Sequence, residues 1–147
     1  MRPASIVQFE RLYLGSLVVG LIGTGIAWRG NFERLASSAT TAPVSGWFQQ
    51  ATTGLTVIIT LLLWYFIARR ASLVAKWIMV VLTAIGVLLA IGALMTLIGG
   101  HSPNAIATLL SLGATILAAA AAAMLFRPDA QLWFGESSAI DPAEPLA

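Results

Sequence analysis

The placement of charge constrains this chain more than any other feature. Between its Lys, Arg, Asp and Glu residues lie three long gaps: 17 residues over 12–28, 34 over 35–68 and 50 over 77–126. A membrane-crossing helix needs about 20 apolar residues, within a range of about 17–25. Inside hydrocarbon, only a helix or a closed barrel satisfies its own backbone hydrogen bonds. Composition points the same way. Charged residues make up 10% and hydrophobic residues 59% of the 147, where a soluble domain carries roughly 25% charged. The mean hydropathy is +0.89. These values describe an integral membrane protein.

The gaps divide into spans by length. The first holds one short span, about 12–28, which a helical turn through Phe9, Glu10 and Arg11 can extend backwards. The second gap is polar in its first half, with Ser37, Ser38, Thr40, Thr41, Ser45, Gln49 and Gln50, so only 51–68 is apolar enough to cross. The third is too long for one helix and suits two, 77–98 and 105–126, broken at Gly99, Gly100, His101, Ser102, Pro103 and Asn104. Paired glycines end a helix, and Ser-Pro starts another with proline near its first turn. The expected fold is an all-α, up-down-up-down four-helix transmembrane bundle over residues 1–134. Within it, 127–134 is an interfacial segment whose helix starts at Pro128 and Asp129 and whose Leu132, Trp133 and Phe134 rest on headgroups. Residues 135–147 read as a disordered cytoplasmic tail, and Asp129, Glu136, Asp141 and Glu144 as a solvated acidic end. A cleaved signal peptide fits poorly, because Glu10 sits before the apolar run and the small residues at 36–39 lie well past its end.

Basic residues set the orientation. Arg2, Arg11, Arg69, Arg70, Lys76 and Arg127 fall on one side of such a bundle, and Arg29 and Arg34 on the other. Both termini are expected in the cytoplasm, with the charges of the loop between spans two and three, Arg69, Arg70 and Lys76, deciding the topology. Trp28, Trp47, Trp64, Trp77 and Trp133 all lie near span ends, where amphipathic rings suit the headgroup layer.

Small residues suggest how the helices meet. Apolar driving force is weak between helices in lipid, so close approach matters. Ser16, Gly20 and Thr24 recur every four residues in span one, Gly86 and Ala90 lie in span three, and Ser111, Thr115 and Ala119 share a row in span four. Six alanines at 118–123 make half of span four thin and favour tight packing there. The span hydroxyls are expected to bond back to their own helices.

Chemistry is sparse. No Asp, Glu, Lys, Arg, His, Asn or Gln lies in the middle of any span, whereas ion-coupled transporters place an ionisable group there. The absence of cysteine removes disulfides, thiolate metal sites and a cysteine nucleophile. The single histidine, His101, is a poor metal site alone. Nucleotide-binding, serine-hydrolase and zincin motifs are missing. No enzyme, no cofactor, no metal and no nucleic-acid partner is expected. The main expectation is a non-enzymatic membrane protein in contact with the lipid bilayer, acting as a small accessory or assembly subunit of a larger membrane complex. The alternative is a small carrier, channel or lipid- or small-molecule-binding bundle acting as an oligomer, since four thin helices enclose little volume. A dry, tightly filled bundle would count against the alternative.

Three segments carry a likeness. They are Phe9-Glu10-Arg11-Leu12-Tyr13-Leu14-Gly15-Ser16-Leu17 at the start, Ala68-Arg69-Arg70-Ala71-Ser72 with Val74-Ala75-Lys76-Trp77-Ile78 in the middle, and Phe126-Arg127-Pro128-Asp129-Ala130-Gln131-Leu132-Trp133-Phe134 at the end. Together they cover about a third of the chain and resemble small, uncharacterised four-span inner-membrane proteins of proteobacteria. The resemblance implies the topology and a bacterial inner membrane. It implies no activity, and a membrane-protein partner or a second copy stays open as a companion.

Overall fold

A computed structural model describes residues 3–38, 40 and 45–135. It contains helices α1 (Ala4–Ser37), α2 (Ser45–Arg70), α3 (Leu73–Ile98), α4 (Ala105–Met124) and the short α5 (Pro128–Trp133). The first four are long and apolar enough to cross a membrane. They pack as an all-helical bundle in which α1 lies against α4 and α2, and α3 against α4 and α2. The expected disordered tail, apart from Gly135, lies outside the described residues.

Three of the helices outrun the apolar spans, whereas α4 stops at Met124, short of the expected 126. α1 has 34 residues, about 51 Å at 1.5 Å per residue. It runs through Glu10 and Arg11 at one end and Arg29, Glu33 and Arg34 at the other, because these residues are adequate helix formers in water. An apolar gap marks where lipid can be, and a helix stops only where its hydrogen bonding stops. α3 likewise begins at Leu73 rather than 77. Ser72 caps it, its side chain accepting from the Ala75 amide at 3.3 Å. α4 begins as expected, but its cap is Asn104, whose Oδ1 accepts from the Ala107 amide at 3.0 Å. Pro103 therefore precedes the helix instead of lying in its first turn.

Helix ends are closed locally. Gly100, at φ 69, turns the chain out of α3, and the His101 amide donates back to the Thr96 carbonyl at 3.0 Å. Ala71 does the same work after α2 at φ 48, with the Ser72 amide donating to the Phe66 carbonyl at 3.1 Å. A left-handed conformation is costly for a residue with a Cβ.

The closest approach in the bundle is between α1 and α4. A Cβ on Gly23 would sit 3.2 Å from the Leu110 Cβ and 3.4 Å from the Ala107 carbonyl oxygen, and one on Gly20 would sit 3.7 Å from the Ala114 Cβ. Small residues on both helices let the backbones approach, the means by which helices associate in lipid. α3 is the opposite case. It buries only Ala75, Lys76 and Met79, and above them a half-buried stripe runs through Thr83, Gly86, Ala90, Ala93 and Leu97. That spacing, near 3.5 residues, is the seam of a left-handed crossing. Its remaining leucines and isoleucines, such as Leu88 and Leu89, face outward, where a membrane protein meets acyl chains.

Packing is concentrated at one end. Ile6, Phe9, Tyr13, Leu63, Ile67, Ala68, Ala75, Met79, Ala121, Ala122, Leu125, Ala130 and Phe134 form a single cluster. Every one of them belongs to the end where α5 folds back on the bundle. Two of the six alanines thus pack tightly, Ala121 and Ala122, while Ala118 to Ala120 are half-buried and Ala123 is exposed.

Candidate functional site

The same bundle is tightly packed at the α5 end and loosely packed beyond it. The tight end is built by side chains far apart in sequence. Asp129 Oδ2 accepts the Ser5 amide at 3.1 Å. The first amides of a helix lack partners within it, so a carboxylate from α5 completes the first turn of α1. The Ser5 amide holds the Asp129 carboxyl below the usual carboxylate range. Asp129 is therefore engaged with the bundle and is not part of a purely solvated acidic end. Trp133 Nε1 donates to the Ile67 carbonyl at 3.4 Å, one of the last-turn carbonyls that α2 leaves open.

Lys76 sits under this cap. Its residue is 1% exposed, and its Nζ lies 4.8 Å from the Phe126 ring centre and 5.1 Å from that of Phe134. An ammonium over an aromatic face is attracted by the ring quadrupole. Among the three loop charges named for topology, Arg69 and Arg70 are exposed and Lys76 is an internal strut. Phe134 is buried beside it and Leu132 points outward at 67% exposure, so the α5 segment packs through Ala130, Trp133 and Phe134 rather than lying flat on headgroups. Of the proposed interface tryptophans, Trp47 and Trp77 are exposed and Trp28 is half-buried, while Trp64 and Trp133 pack on the core at the α5 end.

Beyond Tyr13, Leu63 and Met79 the bundle opens into a cavity of ≈ 860 Å³. All four spanning helices line it. α1 contributes Ser16, Gly20 and Thr24, and, towards the mouth, Asn31 and Arg34; α2 contributes Thr52, Thr53, Thr56 and Thr60. α3 adds Thr83, Gly86 and Thr96, and α4 adds Thr108, Ser111 and Thr115. A recess of ≈ 330 Å³ beside the mouth is lined by Thr24, Asn31, Arg34, Gln49, Thr52 and Thr53, among others. Ligand pockets commonly hold about 300–1,000 Å³, and the space between the four spanning helices of one copy is of that size.

The structure brings together most of the residues that the small-residue pattern singled out. Ser16, Gly20, Thr24, Gly86, Ser111 and Thr115 surround one cavity, whereas Ala90 and Ala119 are half-buried and do not line it. Small side chains allow contact where two helices converge and leave space where they diverge. Gly20 and Gly23 face α4 at the convergent seam, and Gly86 faces open space. The residues missed in the sequence are Gln49 and Asn31, which look like ordinary loop polarity until α1 and α2 are seen to extend through them, and Thr52, which lies inside the expected span 51–68 without a pattern to single it out.

The wall is mostly apolar, with Leu17, Leu21, Ile59 and Leu82 among its members, and the hydroxyls set into it leave it nearly uncharged. Thr24 donates to the Gly20 carbonyl at 2.9 Å, Thr56 to Thr52 at 2.8 Å and Thr115 to Ser111 at 3.0 Å. Ser16 donates to Tyr13 at 2.7 Å, and Thr96 to Ala93 at 2.8 Å. Gln49 is 6% exposed. Its Nε2 donates to the Trp28 carbonyl at 3.2 Å, and its Oε1 is buried with no hydrogen-bond partner. His101 is exposed in the hairpin between α3 and α4. Among the described residues, no three of His, Asp and Glu come together as a metal centre would require.

Compared with known proteins, the chain matches no family model, no curated protein and no solved structure. Function must therefore be argued from the cavity and its wall.

Proposed function

We propose that this integral membrane protein is a non-enzymatic binding bundle whose central cavity takes up a small molecule or lipid moiety from the end opposite α5. The observation that supports it is the ≈ 860 Å³ cavity shared by α1 to α4 above a floor packed by α5. A dry bundle would have argued otherwise. In the same reading the membrane is the bacterial inner membrane and both termini are cytoplasmic. The cavity then opens outward and Arg69, Arg70 and α5 face the cytoplasm.

The other reading, a small accessory or assembly subunit, has less behind it. It rests on elimination, on the small-residue stripes and on the thin fourth span. Gly20 of the first-span stripe already lies against α4 within the chain, so it is not available to a partner. A companion protein or second copy would meet the outward faces of α2, α3 and α4, where Ile58, Leu89 and Ile116 are exposed.

Single cysteines in this cysteine-free chain test the binding reading. Thr56→Cys and Thr115→Cys in reconstituted vesicles should react with a membrane-impermeant methanethiosulfonate, while Ile58→Cys and Leu89→Cys, on outward faces, should not. Native mass spectrometry from membrane vesicles should then find a small-molecule adduct that Thr56→Phe removes. Cavity cysteines as inert as the outward ones would sink the proposal.

A further inference from the structure

The donor–acceptor balance of the cavity wall narrows the class of ligand. A threonine that gives its hydroxyl hydrogen to the preceding turn of its own helix keeps only lone pairs for anything else. Thr24, Thr56, Thr96 and Thr115 do this, one from each spanning helix, and all four line the cavity. Gln49 extends the pattern. Its amide nitrogen is committed to the Trp28 carbonyl, and its oxygen is buried without a partner in the recess that adjoins the mouth. An unpartnered buried acceptor is costly, and a donor arriving with a ligand removes that cost.

Charge narrows the class again. Among the described lining residues Arg34 is the only ionised side chain, and no carboxylate is present. A cation entering past Arg34 is repelled at the mouth and finds no counter-charge inside. An anion passes Arg34 and then meets, at Thr24, Thr56, Thr96 and Thr115, oxygens that can only accept, on a wall that is otherwise mostly apolar. A wall of this kind suits an uncharged molecule that brings O–H donors for those oxygens and C–H faces for the leucines and isoleucines between them.

We propose, building on the binding reading above, that the cavity recognises an uncharged polyhydroxyl group, a sugar or polyol, whether free in solution or carried as the headgroup of a lipid. Its hydroxyls donate to the threonine oxygens and to Gln49 Oε1. Arg34 and Asn31 stand at the mouth, where the Arg34 charge repels cations. A headgroup has a route through the side of the bundle, because α2 and α3 meet more sparingly than any other pair of neighbouring spans.

The test uses the full chain, purified in a sugar-free zwitterionic detergent and placed in phosphatidylcholine nanodiscs. Gly86→Cys carries a small environment-sensitive fluorophore, since nothing lies within 4 Å of the position a Cβ would take there. The probes are free glucose, free glycerol, nanodiscs doped with a glucosyl-diacylglycerol, nanodiscs doped with anionic phosphatidylglycerol, and free choline. The expected result is a saturable response to the free polyols, or to the glucosyl lipid alone, which assigns the source. Thr56→Val, the same shape without the acceptor, should weaken it about tenfold, as loss of one hydrogen bond would, and Thr56→Ser should restore it. A stronger response to choline or phosphatidylglycerol overturns the proposal and leaves the binding reading intact. So does polyol binding that Thr56→Val leaves unchanged. Failure of Gly86→Cys to react with any water-soluble reagent overturns both.

Discussion

Asp129 closes the first turn of α1 by accepting the Ser5 amide at 3.1 Å across 124 residues of chain. The end of the described structure thereby holds its beginning. This one contact ties the interfacial α5 to the bundle and makes the α5 end a single packed unit with Phe9, Ile67 and Leu125.

The contact predicts a pH dependence with a definite sign. The Asp129 carboxyl is held below its ordinary value, so its contribution is fully present above the unfolded pKa, about 3.9. It is lost as pH falls through the lower folded value. Thermal unfolding in detergent, followed by tryptophan fluorescence, should show wild type losing more stability than Asp129→Asn as pH drops below about 4. At pH 7 the order is simple: Asp129→Asn is the less stable protein. Equal slopes for the two proteins would contradict the assignment.

Lys76 and Phe134 should be energetically coupled. A cation held over an aromatic face is worth about 0.5–2 kcal/mol, more when desolvated. Lys76→Met keeps the packing and removes the charge, and Phe134→Leu removes the ring. A double-mutant cycle on unfolding free energy should return a coupling of that order. Limited proteolysis at 127–135 should accelerate in either single variant. Additive effects would mean that the two side chains are neighbours without an interaction.

Two glycines on the same helix should respond oppositely to bulk. Gly23 lies 3.2 Å, measured from its added Cβ, from the Leu110 Cβ, so Gly23→Val should destabilise the bundle by about 1–3 kcal/mol, as overpacking does. Gly20, with 3.7 Å to its nearest neighbour, should accept alanine within about 0.5 kcal/mol. The measurement is unfolding in mixed detergent micelles. A benign Gly23→Val would show that α1 and α4 are not this close.

Ala71→Gly should stabilise the protein. Relief of the left-handed conformation at φ 48 is worth about 1–2 kcal/mol, and the greater freedom of glycine in the unfolded chain takes back about 0.4–1 kcal/mol. The net gain of about half to one kcal/mol should appear as a raised midpoint of thermal unfolding. Ala71→Val should lower it.

Orientation yields to the same cysteine-free background. Ser72 and Ser102 flank opposite ends of α3. In intact cells an impermeant maleimide should label Ser102→Cys and spare Ser72→Cys until the membrane is opened. The reverse pattern would place both termini outside.

The four spans were legible because a charge is expensive in hydrocarbon, and the gaps between charges therefore bound them. The lengths of the helices were not, because Arg29, Glu33 and Arg34 extend α1 in water as readily as leucine does in lipid. Ser72 was a readable cap that would have moved the start of α3 from 77 to Leu73. The pairing of α1 with α4 through Gly20 and Gly23 was half-legible: the pattern names a close seam without naming what lies across it. The cavity was not legible at all. Ser111 and Thr115 have the same sizes whether a neighbour is near or far, and only the divergence of the helices distinguishes packing from space. The burial of Lys76 depended on Phe134, 58 positions later in the sequence, beyond any local pattern.

The length of α1 sets where a solute first meets the protein. Headgroup to headgroup, a bilayer is about 40–45 Å thick, and a helix of 34 residues reaches about 51 Å. Past Trp28, nine residues of α1, 29–37, continue as helix. They rise about 13 Å and carry Asn31 and Arg34 with them. On the binding reading proposed above, selection at those two side chains takes place on a doorstep raised above the acyl chains, and a molecule from solution is sorted there before it has given up any of its hydration.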